Sequence, residues 1–395
     1  MNRGPIPLPL HLNLAHSCWQ SALLGWHASK LGWPIWSPAF QHNASEFSAT
    51  QNIAEFPAAL TREIQNRAAQ FQRGIQMYHA HPFRRTLPIA KTIWQRGTTR
   101  LLDYGMGQNT QPLLMIPSLV NRAYILDLLP DKSFMHYLAK NGFHPMLVDW
   151  DAPGEAEKDF GLSDYVTDRL LPVYDFILSQ HQMPPHVMGY CMGGNFALAL
   201  AQLTPQKPRS LTLMATAWDF HAAGMPRFTA DKAQQLLHMV NTTGELSVEW
   251  LQSFFSALDP FGAVEKFMRF AEKDMQSDSA KLFVALEDWL SDGVPLTPRV
   301  TADTMQNWYA HNTPARGQWE IAGQKILPQT LGIPTLAVLP QHDRIVSPAS
   351  AAALATLIPG ALSLSPHLGH IGMMVSRDAD KMVWEPVVNW LKNQD

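Results

Sequence analysis

Cysteine is nearly absent: the chain holds two in 395 residues, Cys18 and Cys191. At most one disulfide can form, so a disulfide-stapled scaffold is excluded. Charge is scarce as well. Charged residues make up 16% of the chain, against about 25% in a typical soluble domain. The net charge of −3 comes with no long basic run and no basic–aromatic repeat, which argues against nucleic-acid binding. No apolar run approaches the roughly 18 residues a membrane span needs, so no span is expected. The histidines are scattered without H-x-x-x-H spacing and there is no C-x-x-C, so no metal site is read. A glycine-rich phosphate loop is also missing, and no cofactor is expected. The amino terminus has one arginine and no continuous apolar segment ending in a cleavage site, so no signal peptide is read.

What is abundant is apolar and aromatic. Hydrophobic residues reach 46% and tryptophan numbers thirteen, which fits a large aromatic core, a deep apolar cleft or more exposed apolar surface than usual. Against that background one pentapeptide stands out: Gly189-Tyr190-Cys191-Met192-Gly193, with Gly194 behind it. It reads as a G-x-S-x-G nucleophile elbow with cysteine in place of serine, a sharp strand-to-helix turn that lifts one side chain above a sheet. The glycines follow from that geometry, because a Cβ there would strike the neighbouring strand or helix. The flanks agree, since 185–188 is extended in pattern and 195–203 is a good helix former. A thiol nucleophile favours a reducing compartment, so a cytoplasmic location is expected.

The surrounding pattern alternates strand and helix. Strands are predicted over 92–94, 99–104, 113–117, 145–150, 210–216, 333–339 and 361–365. Helices are predicted over 59–82, 125–141, 163–180 with Ser163 as N-cap, 195–203 and 381–393. Leu113-Leu114-Met115-Ile116 is a continuous apolar run, as expected of a strand covered on both faces. The alternation predicts an α/β fold, a mostly parallel doubly wound sheet of the α/β-hydrolase type. After the sixth strand the pattern breaks into aromatic-dense helical stretches with no clear strand. The expected organisation is a Pro- and Trp-rich leader over 1–58, core over 59–219, a helical lid over 220–325 and core again over 326–395. Within the leader, 12–31 is expected to be an aromatic-faced helix, packed on the parent domain or lying on an apolar surface.

A cysteine nucleophile needs a base and a carboxylate to orient it, and in this fold they follow in the order acid, then histidine. Asp343 lies just past the strand ending at Leu339, and His370 just past the next strand, between Gly369 and Ile371-Gly372. His367 competes for the role of base; His370, with glycines on both sides, is preferred. The oxyanion hole is expected from the backbone N–H of Met192 and one from the loop after Pro117, supplied by Leu119 or Val120.

Four segments then make the chain resemble the polyhydroxyalkanoate synthases, which polymerise 3-hydroxyacyl-CoA. They are Pro117–Leu128, Leu147-Val148-Asp149-Trp150, Gly189–Gly194, and Ile333–Val346 together with Gly369-His370-Ile371. The resemblance covers about 75–393. It implies that Cys191 holds the growing chain as a thioester and that His370 deprotonates it. It also implies that Asp343 helps activate the 3-hydroxyl of the incoming monomer as well as completing the triad. Homodimerisation, a second synthase subunit and a location on polyester granules are further expectations from the family. Two departures stand out: Arg344 occupies the position where the family usually has histidine, and the chain is shorter than the single-subunit synthases. The rival reading is a cysteine hydrolase, either an intracellular polyester depolymerase or a dienelactone-hydrolase-like esterase; a non-catalytic granule protein is the third. Water exclusion decides between transfer and hydrolysis, and the aromatic density of 220–322 favours transfer.

Overall fold

A computed structural model describes residues 4–31, 55–107 and 110–394. It contains an eight-stranded sheet: β1 Lys91–Arg96, β2 Thr99–Asp103, β3 Gln111–Ile116, β4 Phe143–Asp149, β5 His186–Tyr190, β6 Leu211–Met214, β7 Thr335–Val338 and β8 Leu362–Leu364. The spatial order is β1-β2-β4-β3-β5-β6-β7-β8. Strands β1, β2 and β4 pair antiparallel, and every pairing from β4 through β3 to β8 is parallel. Every predicted strand is therefore present within a few residues of its expected bounds.

Burial follows the order. Leu113 to Ile116 on β3 are fully buried, because β3 sits inside the sheet between two parallel neighbours with helices on its faces. Strand β1 lies at the edge and is mostly exposed, consistent with its Lys91, Gln95 and Arg96. Its turn into β2 passes through Gly97 at φ +58, where a Cβ would lie 1.9 Å from Glu157 Oε1. That carboxylate accepts from Thr98 N and pairs at 2.5 Å with Arg169, both side chains being essentially inaccessible.

Two expected helices differ from the prediction. The stretch 125–141 is a 3-10 turn at Ala123–Leu126, a small hairpin of Asp127–Leu129 with Lys132–Ser133, and a helix only from Phe134 to Lys140. Pro130 forbids a continuous helix there. Asp127 is buried to accept from Tyr104 Oη and Arg85, and Ser133 Oγ caps the shortened helix by accepting from His136 N. Ser163 is not the N-cap of the next helix. The chain enters it at Leu162, with Asp164 reaching back to Gly161 N and Asp303 accepting from Leu162 N. Ser163 Oγ instead accepts from Ala322 N. A π-helical turn, Val166–Leu170, joins Leu162–Tyr165 to Leu171–His181.

Residues 215–334, between β6 and β7, are mainly helical, with one small ladder of Glu320–Ile321 against Gln324–Lys325. That ladder, the hairpin at 127–133 and the single bridges Asn121–Gly293 and Leu246–Leu296 are extended pairings the sequence did not signal. Two compact units emerge. One comprises the described residues up to Arg84 together with Gln252–Ser291; the other comprises Arg85–Leu251 and Asp292–Asp395. In the first, helices Leu8–Lys30, Phe56–Ala80, Gly262–Phe270 and Asp278–Ser291 share a core of Phe71, Tyr78, Phe267, Phe270 and Val284. Gly74 permits close backbone approach there, since a Cβ would sit 2.0 Å from Phe267 O. Trp26 is buried, whereas Trp33 and Trp36 lie outside the described residues. The second unit carries the sheet and the site.

Candidate active site

Strand β5 ends at Tyr190, and helix Met192–Leu203 begins one residue later. Cys191 joins them at φ 57, ψ −127, a strained conformation costing about 1–3 kcal/mol for a residue with a Cβ. The three glycines explain how so tight a turn fits. A Cβ on Gly189 would lie 2.4 Å from Gly194 Cα, one on Gly193 would lie 2.0 Å from Ile116 O, and one on Gly194 would lie 1.8 Å from Thr216 Oγ1. Cys191 is half-buried with a free thiol. Its amide is tied to Met214 O at 2.8 Å and its carbonyl accepts from Gly194 N at 2.9 Å.

The loops after β7 and β8 bring the acid and the base together. His370 Nδ1 and Asp343 Oδ2 are 2.7 Å apart, and both residues are buried. Asp343 Oδ1 is held separately by the amides of Ile345 and Val346, each at 2.8 Å. Burial works against a charged His370, but the Asp343 carboxylate and the hydrogen-bonded Cys191 sulfur outweigh it and lift the imidazole to about 10. His367 is exposed and sits against His342, 5.7 Å between ring centres. Of the two histidines, therefore, only His370 meets the aspartate. Arg344 points to the surface.

The expected oxyanion donors meet differently. Met192 begins the elbow helix, and the amides of Met192 and Leu119 have no acceptor among the described residues. The Val120 amide is taken by Ser118 Oγ at 3.2 Å, so Val120 is the poorer donor of the pair the sequence left open.

Two residues carry parts of the site that sequence reasoning did not assign. Tyr190 Oη donates to His370 O at 3.2 Å and its ring lies 5.1 Å from the imidazole. Burial, then the neighbouring Cys191 and Asp343, hold its phenol well above the usual value. Tyr309, from a π-helical segment Ala302–Ala310 between β6 and β7, is pushed the same way by burial and by Cys191. Tyr190 is adjacent to the nucleophile in sequence, but only β5 and the His370 loop together reveal what its hydroxyl does. Nothing local marks Tyr309.

Among the described residues no group of three or more His, Cys, Asp or Glu side chains is placed to hold a metal. What the arrangement can do is activate a thiol: a strained, accessible cysteine beside a buried imidazole whose far nitrogen is fixed by a carboxylate.

The family model described as alpha/beta hydrolase fold matches residues 111–376. The model of the poly-beta-hydroxybutyrate polymerase amino terminus matches 60–138. The poly(3-hydroxyalkanoate) polymerase subunit of Haloferax mediterranei is 28% identical over 309 residues, covering 76% of this chain and 63% of that protein. The Haloarcula marismortui subunit is 26% identical, over 71% of this chain and 60% of that protein. The Allochromatium vinosum subunit is 28% identical, over 72% of this chain and 81% of its own length. The chain thus spans less than two thirds of the first two relatives. It is similar to these poly(3-hydroxyalkanoate) polymerase subunits over about three quarters of its length, and it belongs to the α/β-hydrolase fold family.

Proposed function

We propose that this chain is an acyltransferase that takes 3-hydroxyacyl groups from coenzyme A and joins them into a polyester through a thioester on Cys191. The observation that carries the reading is the elbow cysteine beside the buried His370–Asp343 pair, in a chain whose relatives bear the polymerase name. His370 Nε2 holds the proton of the Cys191 thiol as an imidazolium, and the Cys191 thiolate attacks the acyl-CoA carbonyl. The C–S bond to coenzyme A breaks, and the departing thiolate takes the proton back from His370. An acceptor hydroxyl then loses its proton to His370 and attacks the Cys191 thioester, making an ester and freeing the cysteine. Exchange between two thioesters is nearly isoenergetic, and a thiolate leaves more readily than an alkoxide, which favours cysteine over serine for this task.

Asp343 acts through His370 in this scheme. Its side chain is 1% exposed, one oxygen faces the imidazole and the other accepts two backbone amides. No face is left for a monomer hydroxyl, so direct activation by Asp343 is not part of the proposal. The helices Ala230–Thr243 and Pro298–Thr301 with the segment Ala302–Ala310, in the same unit as the site, would keep water from the acyl-enzyme. A second copy, a second synthase subunit and a granule surface are the partners this reading admits. Among the described residues no helix is long and apolar enough to cross a membrane.

Purified chain incubated with 3-hydroxybutyryl-CoA, with free coenzyme A and polymer followed together, tests this. The expected result is coenzyme A release with insoluble polyester, absent in Cys191→Ala. Release with only free 3-hydroxybutyrate would make the chain a hydrolase on the same residues.

A further inference from the structure

The end of β4 grips the loop that follows β3 at two points. Trp150, 3% exposed, donates its indole N–H to Pro117 O at 3.0 Å. The next residue, Asp151, forms an ion pair with Arg122 and accepts from Ala152 N at 2.7 Å. Asp151 stands at φ 57, a left-handed conformation that Asp tolerates better than most side chains. It turns the chain so that two consecutive residues hold the two ends of 117–122. Between those points lie Leu119, whose amide has no acceptor among the described residues, and Val120, whose amide and carbonyl are engaged by Ser118 Oγ and Val294 N. The same loop abuts the nucleophile turn, since Gly193 has no room for a Cβ between itself and Ile116 O or Pro117 C. The Trp150 ring lies 5.6 Å from Phe196 on the elbow helix and 5.4 Å from Tyr165. One indole thus contacts both the loop after β3 and the elbow helix.

We propose that Trp150 and Asp151 are positioning residues that hold the Leu119 amide at the distance from Met192 where the two N–H groups share a developing oxyanion. This rests on the reading of Cys191 as an acyl-accepting nucleophile. Its physical basis is that donors must be placed before charge develops, since an oxyanion gains little from a donor that must first move into position.

The distinguishing test compares two reactions of the same thiol. Acetylation by p-nitrophenyl acetate forms a C–S bond, passes through a tetrahedral oxyanion and expels p-nitrophenolate. Alkylation by iodoacetamide displaces iodide and forms no oxyanion. Trp150→Phe keeps an aromatic ring, though a smaller one, and removes the N–H. We expect acetylation of Cys191 to slow about tenfold or more, with alkylation within twofold of the native rate. Asp151→Asn, at a partly exposed position, should give a smaller loss with the same selectivity, and it serves if Trp150→Phe does not fold. Equal rates in variant and native protein for both reactions would overturn the proposal, as would equal slowing of both, which would mean general distortion. If the native protein is alkylated but never acetylated at Cys191, the nucleophile reading falls and takes this inference with it.

Discussion

His370 is the residue whose chemistry depends most on its surroundings. An ordinary imidazole titrates near 6.5, and in the folded chain this one is lifted to about 10, against burial, by Asp343 and Cys191. The sign of the stability effect follows. The fold binds the His370 proton more tightly than the unfolded chain does, so the contribution is complete below about pH 6.5 and is lost as pH rises through about 10. Urea unfolding at about pH 6 and about pH 10 should therefore show a stability loss of up to a few kcal/mol. Asp343→Asn should shrink that loss by removing the carboxylate that favours the imidazolium. An equally large loss in the variant would show that other groups carry it. His370 and Asp343 were legible as types in the right order, and His367 was a fair competitor on spacing alone. What separates the two histidines is depth: one is buried against a carboxylate and the other is at the surface.

The elbow shows how an element constrains its residues. Gly193 and Gly194 both lack room for a methyl group, but for different reasons. At Gly193 the obstruction is the backbone of Ile116 and Pro117, and at Gly194 it is the Thr216 side chain. Gly193→Ala should thus cost about 3 kcal/mol or more, with no compensating side-chain change available. Gly194→Ala should be comparably damaging alone, and partly rescued by Thr216→Ala. Thermal unfolding of the single and double variants measures this, and equal rescue at both sites would refute the distinction. The glycine spacing was readable directly, since only a tight strand–helix turn demands it. The helix expected over 125–141 was not. Its apolar pattern suited a helix, and Pro130 with Ser133 were the local signs of a break and a fresh start. Ser163 looked like a cap because it precedes a helical pattern, but Asp164 and Asp303 do the capping.

At the scale of the whole molecule, the chain forms two units, each made of segments distant in sequence. In the helical unit, Phe56–Ala80 meets Gly262–Phe270 at Gly74, where Phe267 O leaves no space for a Cβ. Around that point Tyr78 Oη donates to Asp288 at 2.6 Å and Lys266 pairs with Glu287 at 2.7 Å. Gly74→Ala should push these helices apart and destabilise this unit by about 1–3 kcal/mol. Hydrogen exchange read peptide by peptide should quicken in Phe56–Ala80 and Gly262–Phe270. Unchanged protection in both helices would contradict the close approach.

The sequence by itself determined the class of fold, the strands, the elbow cysteine and a short set of candidates for its acid and base. These follow from short-range rules: apolar periodicity marks strands, glycines mark an elbow, and the order of loops fixes which side chains follow it. Tertiary structure decided the rest. It placed His370 rather than His367 against Asp343 and left the Leu119 amide rather than that of Val120 without an acceptor among the described residues. It joined residues 252–291 to the chain before Arg84, and gave Trp150 a hydrogen bond to Pro117 across two strands. Each of those depends on which groups, far apart in the chain, compete for one acceptor or one space, and no local pattern records that competition.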